Sequence, residues 1–155
     1  MVKTLKKGTK NQSSTLLVKH AIHGIEEKKG MDIVRINLKK IPNSASDYFL
    51  ICEGESRPQV EAIVRSVEET IEKKTGERPW HVEGLQNAEW VLMDYVTLAI
   101  HVFRSDIRKH YNLEGLWADA EMKWVSNGNG RIKPPGKKQA KRKSKRKNER
   151  RTKKR

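Results

Sequence analysis

Apolar residues recur at four-residue steps through Leu17, Ala21 and Ile25, with Val18 and Ile22 beside them. That period predicts a helix over 16–29, capped by Ser14 or Thr15 and stopped at Gly30. Alternation then takes over. Ile33, Arg35 and Asn37 oppose Val34, Ile36 and Leu38, a strand over 31–38, and a turn at 41–44 leads to a second strand over 47–52 (DYFLIC). Ser56 and Gln59 form a capping box for the next helix, over 57–74, with Pro58 in its first turn and Gly76 after its end. Its stripe is Val60, Ile63, Val64, Val67 and Ile71.

The stretch from His81 to Phe103, HVEGLQNAEWVLMDYVTLAIHVF, organises the rest. Strands are predicted over 80–83, 90–95 and 97–103. The last is nearly all apolar, as suits a strand buried on both faces. The middle one places Trp90, Leu92 and Asp94 on one face and Glu89, Val91, Met93 and Tyr95 on the other. Two short helices are predicted at 105–111 and 113–120, the second capped by Asn112, with Trp117 and Trp124 packing back on the sheet. A strand, a capped helix and a strand make a right-handed crossover with its two strands parallel. The fold class is therefore α/β, a single domain with a mixed, roughly five-stranded sheet flanked by helices.

Charge divides the chain. The total of +15 is carried by the end, since residues 131–155 hold 15 Lys/Arg and one acid, whereas 11–130 hold 15 bases and 18 acids. A mildly acidic body binds phosphate poorly but complements a basic protein surface. The expected organisation is a disordered polar segment over 1–13, the α/β domain over 14–125, a linker over 126–136 and a disordered basic tail over 137–155. One cysteine, Cys52, excludes an internal disulfide and suits a reducing compartment. The chain lacks an apolar run long enough to span a bilayer, and its first residues lack a secretory apolar region, so a cytoplasmic location is expected.

Candidate chemistry is sparse. His20, His23, His81 and His101 have no convergent acids or second cysteine around them, so no metal and no cofactor is expected. Cys52 lies mid-strand, away from the positive surroundings that activate a thiol. Neither a P-loop nor a dinucleotide-binding glycine pattern is present. Gly54-Glu55-Ser56 could offer amides to an anion, but Ser56 is explained as a cap and Glu55 repels phosphate. Asp94 lacks the second carboxylate that metal-assisted phosphoryl transfer requires, and Asp47 suits a turn. No small-molecule substrate and no catalytic residue follow. Trp90 can be read as a core aromatic or as an interface anchor. An aromatic among Glu83, Glu89 and Asp94 has the composition of a protein hot spot.

The sequence resembles the ribosomal silencing factor family, also called Iojap-like. The likeness covers about Leu16 to Ala120 and rests on KKGMDIVRINL, S-x-x-DYFLICEGES followed by RPQVEAI, HVEGLQNAEWVLMDY, IHVF and HYNLEGLWADA, in that order. Val96-Thr97 departs from the Gly-Asp type turn common after Asp-Tyr in the family. The resemblance implies a nucleotidyltransferase-like outline without the catalytic acids. It also implies a protein that binds the large ribosomal subunit at its fourteenth large-subunit protein, blocks joining of the small subunit, and lowers translation when nutrients are scarce. It further implies a homodimer when free. The family's interface tryptophan matches Trp90 and the acid before it matches Glu89.

The expected docking set is Glu83, Gly84, Leu85, Glu89, Trp90, Met93 and Asp94. The tail residues Lys137, Lys138, Lys141, Arg142, Lys143, Lys145, Arg146, Lys147, Arg150 and Arg151 lie outside the likeness and are expected to lie along ribosomal RNA. Two rival readings are a working nucleotidyltransferase and a large-subunit assembly factor that binds ribosomal RNA through the tail.

Overall fold

The structure, a computed structural model, describes residues 9–125, with side chains from Ser14 onward. Residues 1–8, the linker at 126–136 and the basic tail at 137–155 lie outside the described residues. Among those described, the elements in order are α1 (Thr9–Glu27), β1 (Met31–Asn37), β2 (Tyr48–Gly54), α2 (Arg57–Thr75), β3 (His81–Glu83), β4 (Trp90–Asp94), β5 (Leu98–Arg104), α3 (Ser105–Tyr111), α4 (Leu113–Leu116) and β6 (Glu121–Trp124). The sheet is mixed, in the order β3-β4-β5-β2-β1-β6. Only β2 and β5 run parallel, because the β3–β4 hairpin is interposed after α2 before the chain returns to β5.

Sheet alternation sorts the core into two clusters. Leu50, Cys52, Val91, Met93, Ile100 and Val102 turn toward α1 and α2, where Ala21, Ile25, Ile63, Val67 and Ile71 meet them. Val34, Ile36, Ile51 and Phe103 face the other way, under Leu113, Trp117 and Trp124. Each such side chain taken fully from water contributes about 1.5–3 kcal/mol. The two helices approach closely. A Cβ on Gly24 would lie 2.8 Å from the Val67 Cα, and the Ser66 hydroxyl donates to the Gly24 carbonyl at 2.7 Å.

The α2 caps follow the sequence expectation: the Gln59 amide donates to Ser56 Oγ at 3.3 Å, and Gly76 closes the helix at φ 75°. The Gln59 side chain does more than a capping box asks. It accepts from the Glu55 amide and donates to the Lys28 and Lys29 carbonyls, tying the end of α1 to the start of α2.

Three expectations are corrected. The helix α1 opens at Thr9, well ahead of the Ser14 or Thr15 cap, and takes in residues expected to be disordered; Ser14 is fully buried within it. A sixth strand, β6, pairs antiparallel with β1, Trp124 opposite Val34 and Met122 opposite Ile36. Asn112 does not cap α4 with its side chain. Its left-handed backbone (φ 46°) closes α3, and its amide donates to the Arg108 carbonyl.

Arg108 fixes α3 and α4 against the sheet. Its guanidinium is buried and donates to Glu114 Oε1 at 2.7 Å, to the Asp32 carbonyl at 2.7 Å and to Glu53 Oε1 at 3.1 Å. Burial raises the Glu53 pKa, opposed by its hydrogen bond from Ser105 and by the nearby Arg108 charge. A buried ion held by three partners specifies position more than it adds stability. Here it places α3, and with it Tyr111, beside Trp90.

Candidate functional site

The sheet face opposite α1 and α2 is only partly covered, and β4 and β5 supply its aromatic row. Trp90 is half-buried at the start of β4, directly opposite Phe103 on β5. Its ring stacks on Phe103 at 5.0 Å between centroids and leans on Tyr111 from α3 at 4.9 Å. The indole N–H donates to His101 Nδ1 at 3.1 Å. His101 is buried, and desolvation lowers its pKa to about 4, so the ring is neutral near neutral pH. An acceptor at Nδ1 on a neutral imidazole requires the proton at Nε2. That N–H is buried and has no hydrogen-bond partner.

Phe49 extends the row, edge-on to His101 at 4.8 Å and to Trp117 at 5.4 Å. Tyr111, against Trp90, and Leu116, next to Trp117 in the chain, are exposed, at 52% and 77%. The indole is thus held by contacts with three rings and by one hydrogen bond, and it remains partly exposed. A rigid, partly open aromatic has little side-chain entropy left to lose on being covered.

The acids around Trp90 are held by this chain's own groups. Glu89 is paired with Arg57 at 3.2 Å and Arg104 at 3.6 Å. Asp94 accepts from the Val96 amide at 2.7 Å and so holds the β4–β5 turn, in which Val96 takes φ 69°. Glu83 contacts His81 at 2.6 Å. The face is therefore amphipathic, with acids embedded in local pairs, rather than a bare acidic ring.

Gly84 is required by geometry. It sits at φ 90°, and a Cβ there would fall against the Trp90 carbonyl oxygen. Leu85 is 45% exposed on the loop that follows. Met93 does not belong to this face. Strand alternation turns it to the helix side, where it is fully buried. The sequence reading missed His101, Phe103 and Tyr111; the signal for the first two was their period-two spacing on β5, directly opposite Leu92 and Trp90.

No group of three or more His, Cys, Asp or Glu that could hold a metal occurs among the described residues. The Cys52 thiol is buried and desolvation pushes its pKa up to about 12. No helix among the described residues is long and apolar enough to cross a membrane.

The sequence model of the family described as "Ribosomal silencing factor during starvation" matches residues 11–155. The ribosomal silencing factor of Halalkalibacterium halodurans is 38% identical over 108 residues, 70% of this chain and 91% of that one. The Bacillus subtilis ribosomal silencing factor is 39% identical over 112 residues, 72% of this chain and 92% of its own length. Among solved structures, a Bacillus halodurans protein aligns with a TM-score of 0.61 at 34% identity, over 73% of this chain and 99% of that one. A Chromobacterium violaceum protein gives 0.64 at 27% identity, over 73% and 92%.

Proposed function

The chain belongs to the ribosomal silencing factor family, and from that premise we propose that it binds the large ribosomal subunit at its fourteenth large-subunit protein. Bound there, it blocks joining of the small subunit by occupying space, and so represses translation in the cytoplasm when nutrients are scarce. No bond is made or broken in this scheme. The observation that supports it most is the clamped, half-open indole of Trp90 between Phe103, Tyr111 and His101. The partner covers Trp90 together with Tyr111 and Leu116, and Leu85 extends the contact along the β3–β4 loop. Ribosomal proteins are basic, and Asp94 lies on the Trp90 side to meet them, while Glu89, turned toward Arg57 at the start of α2, adds negative charge from the end of the strand. A homodimer of free copies is carried by the family resemblance alone.

Co-sedimentation with purified large subunits tests the reading. Trp90→Ala should weaken binding by about 2–4 kcal/mol, the scale of an interface hot spot. Unchanged co-pelleting would remove Trp90 from the contact. The basic tail, from Lys137 to Arg155, lies along ribosomal RNA beside the protein contact in this proposal. Its deletion should flatten the salt dependence of binding, and an unchanged slope would separate the tail from RNA.

A further inference from the structure

On the other side of the sheet, at its far edge, cations are gathered without acids to match them. Arg35 on β1 is directly opposite Lys123 on β6, and like charges directly opposite one another on a strand pair are destabilising. Both side chains turn toward the α1 side, since Met122 and Trp124 face the second cluster while Val125 packs on the first. Lys39 joins them. Its ammonium lies 4.9 Å from the centre of the Tyr48 ring, and the Arg35 guanidinium lies 5.3 Å from the same ring. Arg35 Nε is buried without a hydrogen-bond partner. Among the described residues no carboxylate is paired with Arg35, Lys39 or Lys123, although Glu121 stands two residues from Lys123 on the same strand.

We infer that this β1–β6 edge is a polyanion-binding surface that takes the phosphate backbone of RNA. The inference rests on the tail part of the proposed function and is independent of the Trp90 contact. The cost of opposing Arg35 to Lys123 is relieved once phosphates stand between them. The chain passes from Lys123 through Trp124 to Val125, whose amide donates to the Ile33 carbonyl at 2.8 Å, and the 15 Lys/Arg of 131–155 follow. Folded patch and tail are thus close in sequence and of one sign. RNA is the partner this favours over an acidic protein, because the tail carries regular charge and almost no apolar residue to anchor a protein surface. β4 and β6 are four strand spacings apart, about 19 Å, and Trp90 and Arg35 occupy opposite faces. The protein can therefore hold a protein partner on one side and RNA on the other.

The test is fluorescence anisotropy of a labelled single-stranded RNA against the full chain over a salt series. Arg35→Gln/Lys39→Gln/Lys123→Gln should bind about ten-fold more weakly at physiological salt, with the log–log salt slope lower by about 2, three lost contacts at about 0.7 each. Lys39→Gln/Lys123→Gln keeps Arg35 packed on Tyr48, guards against misfolding, and should lower the slope by about 1.4. Wild-type affinity and slope in both variants would overturn the inference. So would polyglutamate displacing the RNA as effectively per charge, or binding to phosphatidylglycerol vesicles with none to RNA. The Trp90→Ala variant should bind free RNA like the wild type, and the triple variant should still sediment with large subunits at low salt. Failure of the Trp90 reading and failure of this one are thereby separable.

Discussion

Replacing His101 by Phe separates two roles of that ring. At neutral pH the substitution removes the acceptor for the Trp90 indole, a loss of about 0.5–1.5 kcal/mol, and also removes a buried N–H without a partner, a gain of about 1–3 kcal/mol. A phenyl ring is somewhat larger than imidazole, so Phe49, Phe103 and Trp90 must give slightly, and the two polar terms alone bracket the net change between a loss of about 0.5 and a gain of about 2.5 kcal/mol. Acid exposes the difference. Burial lowers the His101 pKa to about 4, whereas in the unfolded chain it returns to about 6.5. Between those values the unfolded state binds more protons, so wild-type stability from this group rises with pH and is lost as pH falls from about 6.5 toward about 4. At about pH 5 the loss is about 2 kcal/mol, from the ratio of the two binding polynomials, and the Phe variant has none of it. Urea unfolding of both proteins across that window measures the difference directly, and other titrating groups cancel between them. Parallel stability curves would refute a buried, neutral His101. In large-subunit binding the same variant should weaken affinity several-fold, since the indole loses its one directional restraint.

Other substitutions probe the supports of the face. Arg108→Met should destabilise by about 3–5 kcal/mol, because Glu53 and Glu114 lose their shared cation inside the protein; a thermal melt without loss would refute the network. Gly84→Ala should cost about 1–3 kcal/mol through its positive φ and the Trp90 carbonyl, and chemical denaturation reads it. Cys52, with its thiol pushed up to about 12, should react with a disulfide reagent only as fast as the protein unfolds; rapid labelling of the native state would contradict its burial.

The parts of the fold legible in the sequence are those where one local rule acts alone. The α2 stripe, its Ser56 cap and its Gly76 stop sit within a few residues of one another, and nothing distant competes with them. The β4 alternation likewise sorted Trp90 from Val91 and Met93 before any partner strand was known. What stayed hidden depends on contacts made across the chain. β6 is four residues long, and its apolar Met122 and Trp124 acquire meaning only beside Ile36 and Val34 of β1. The first turns of α1 are polar, so no apolar period marks them. Arg108 reads as a solvated cation on a short helix; its burial is set by Glu53 and Asp32, more than fifty residues earlier in the chain.

The same distinction decides how the proposed docking face would gain specificity. Counting acids near Trp90 in the sequence suggested attraction by charge, yet Glu89, Glu83 and Asp94 each have a partner within this chain. Exposed ion pairs of this kind contribute about 0–1 kcal/mol and are screened by salt, so they steer an encounter more than they hold a complex. In the proposed contact the holding energy comes from surface that a partner can desolvate, the open part of Trp90 with Tyr111 against it. Because α3 is tied down by Arg108 and Trp90 by His101, that surface is presented in one arrangement before any partner arrives. Neutralising Glu89 should therefore slow association at low salt and leave dissociation nearly unchanged, whereas truncating Trp90 should accelerate dissociation. Rate measurements that gave the reverse assignment would place the binding energy in the charges and return the face to an electrostatic one.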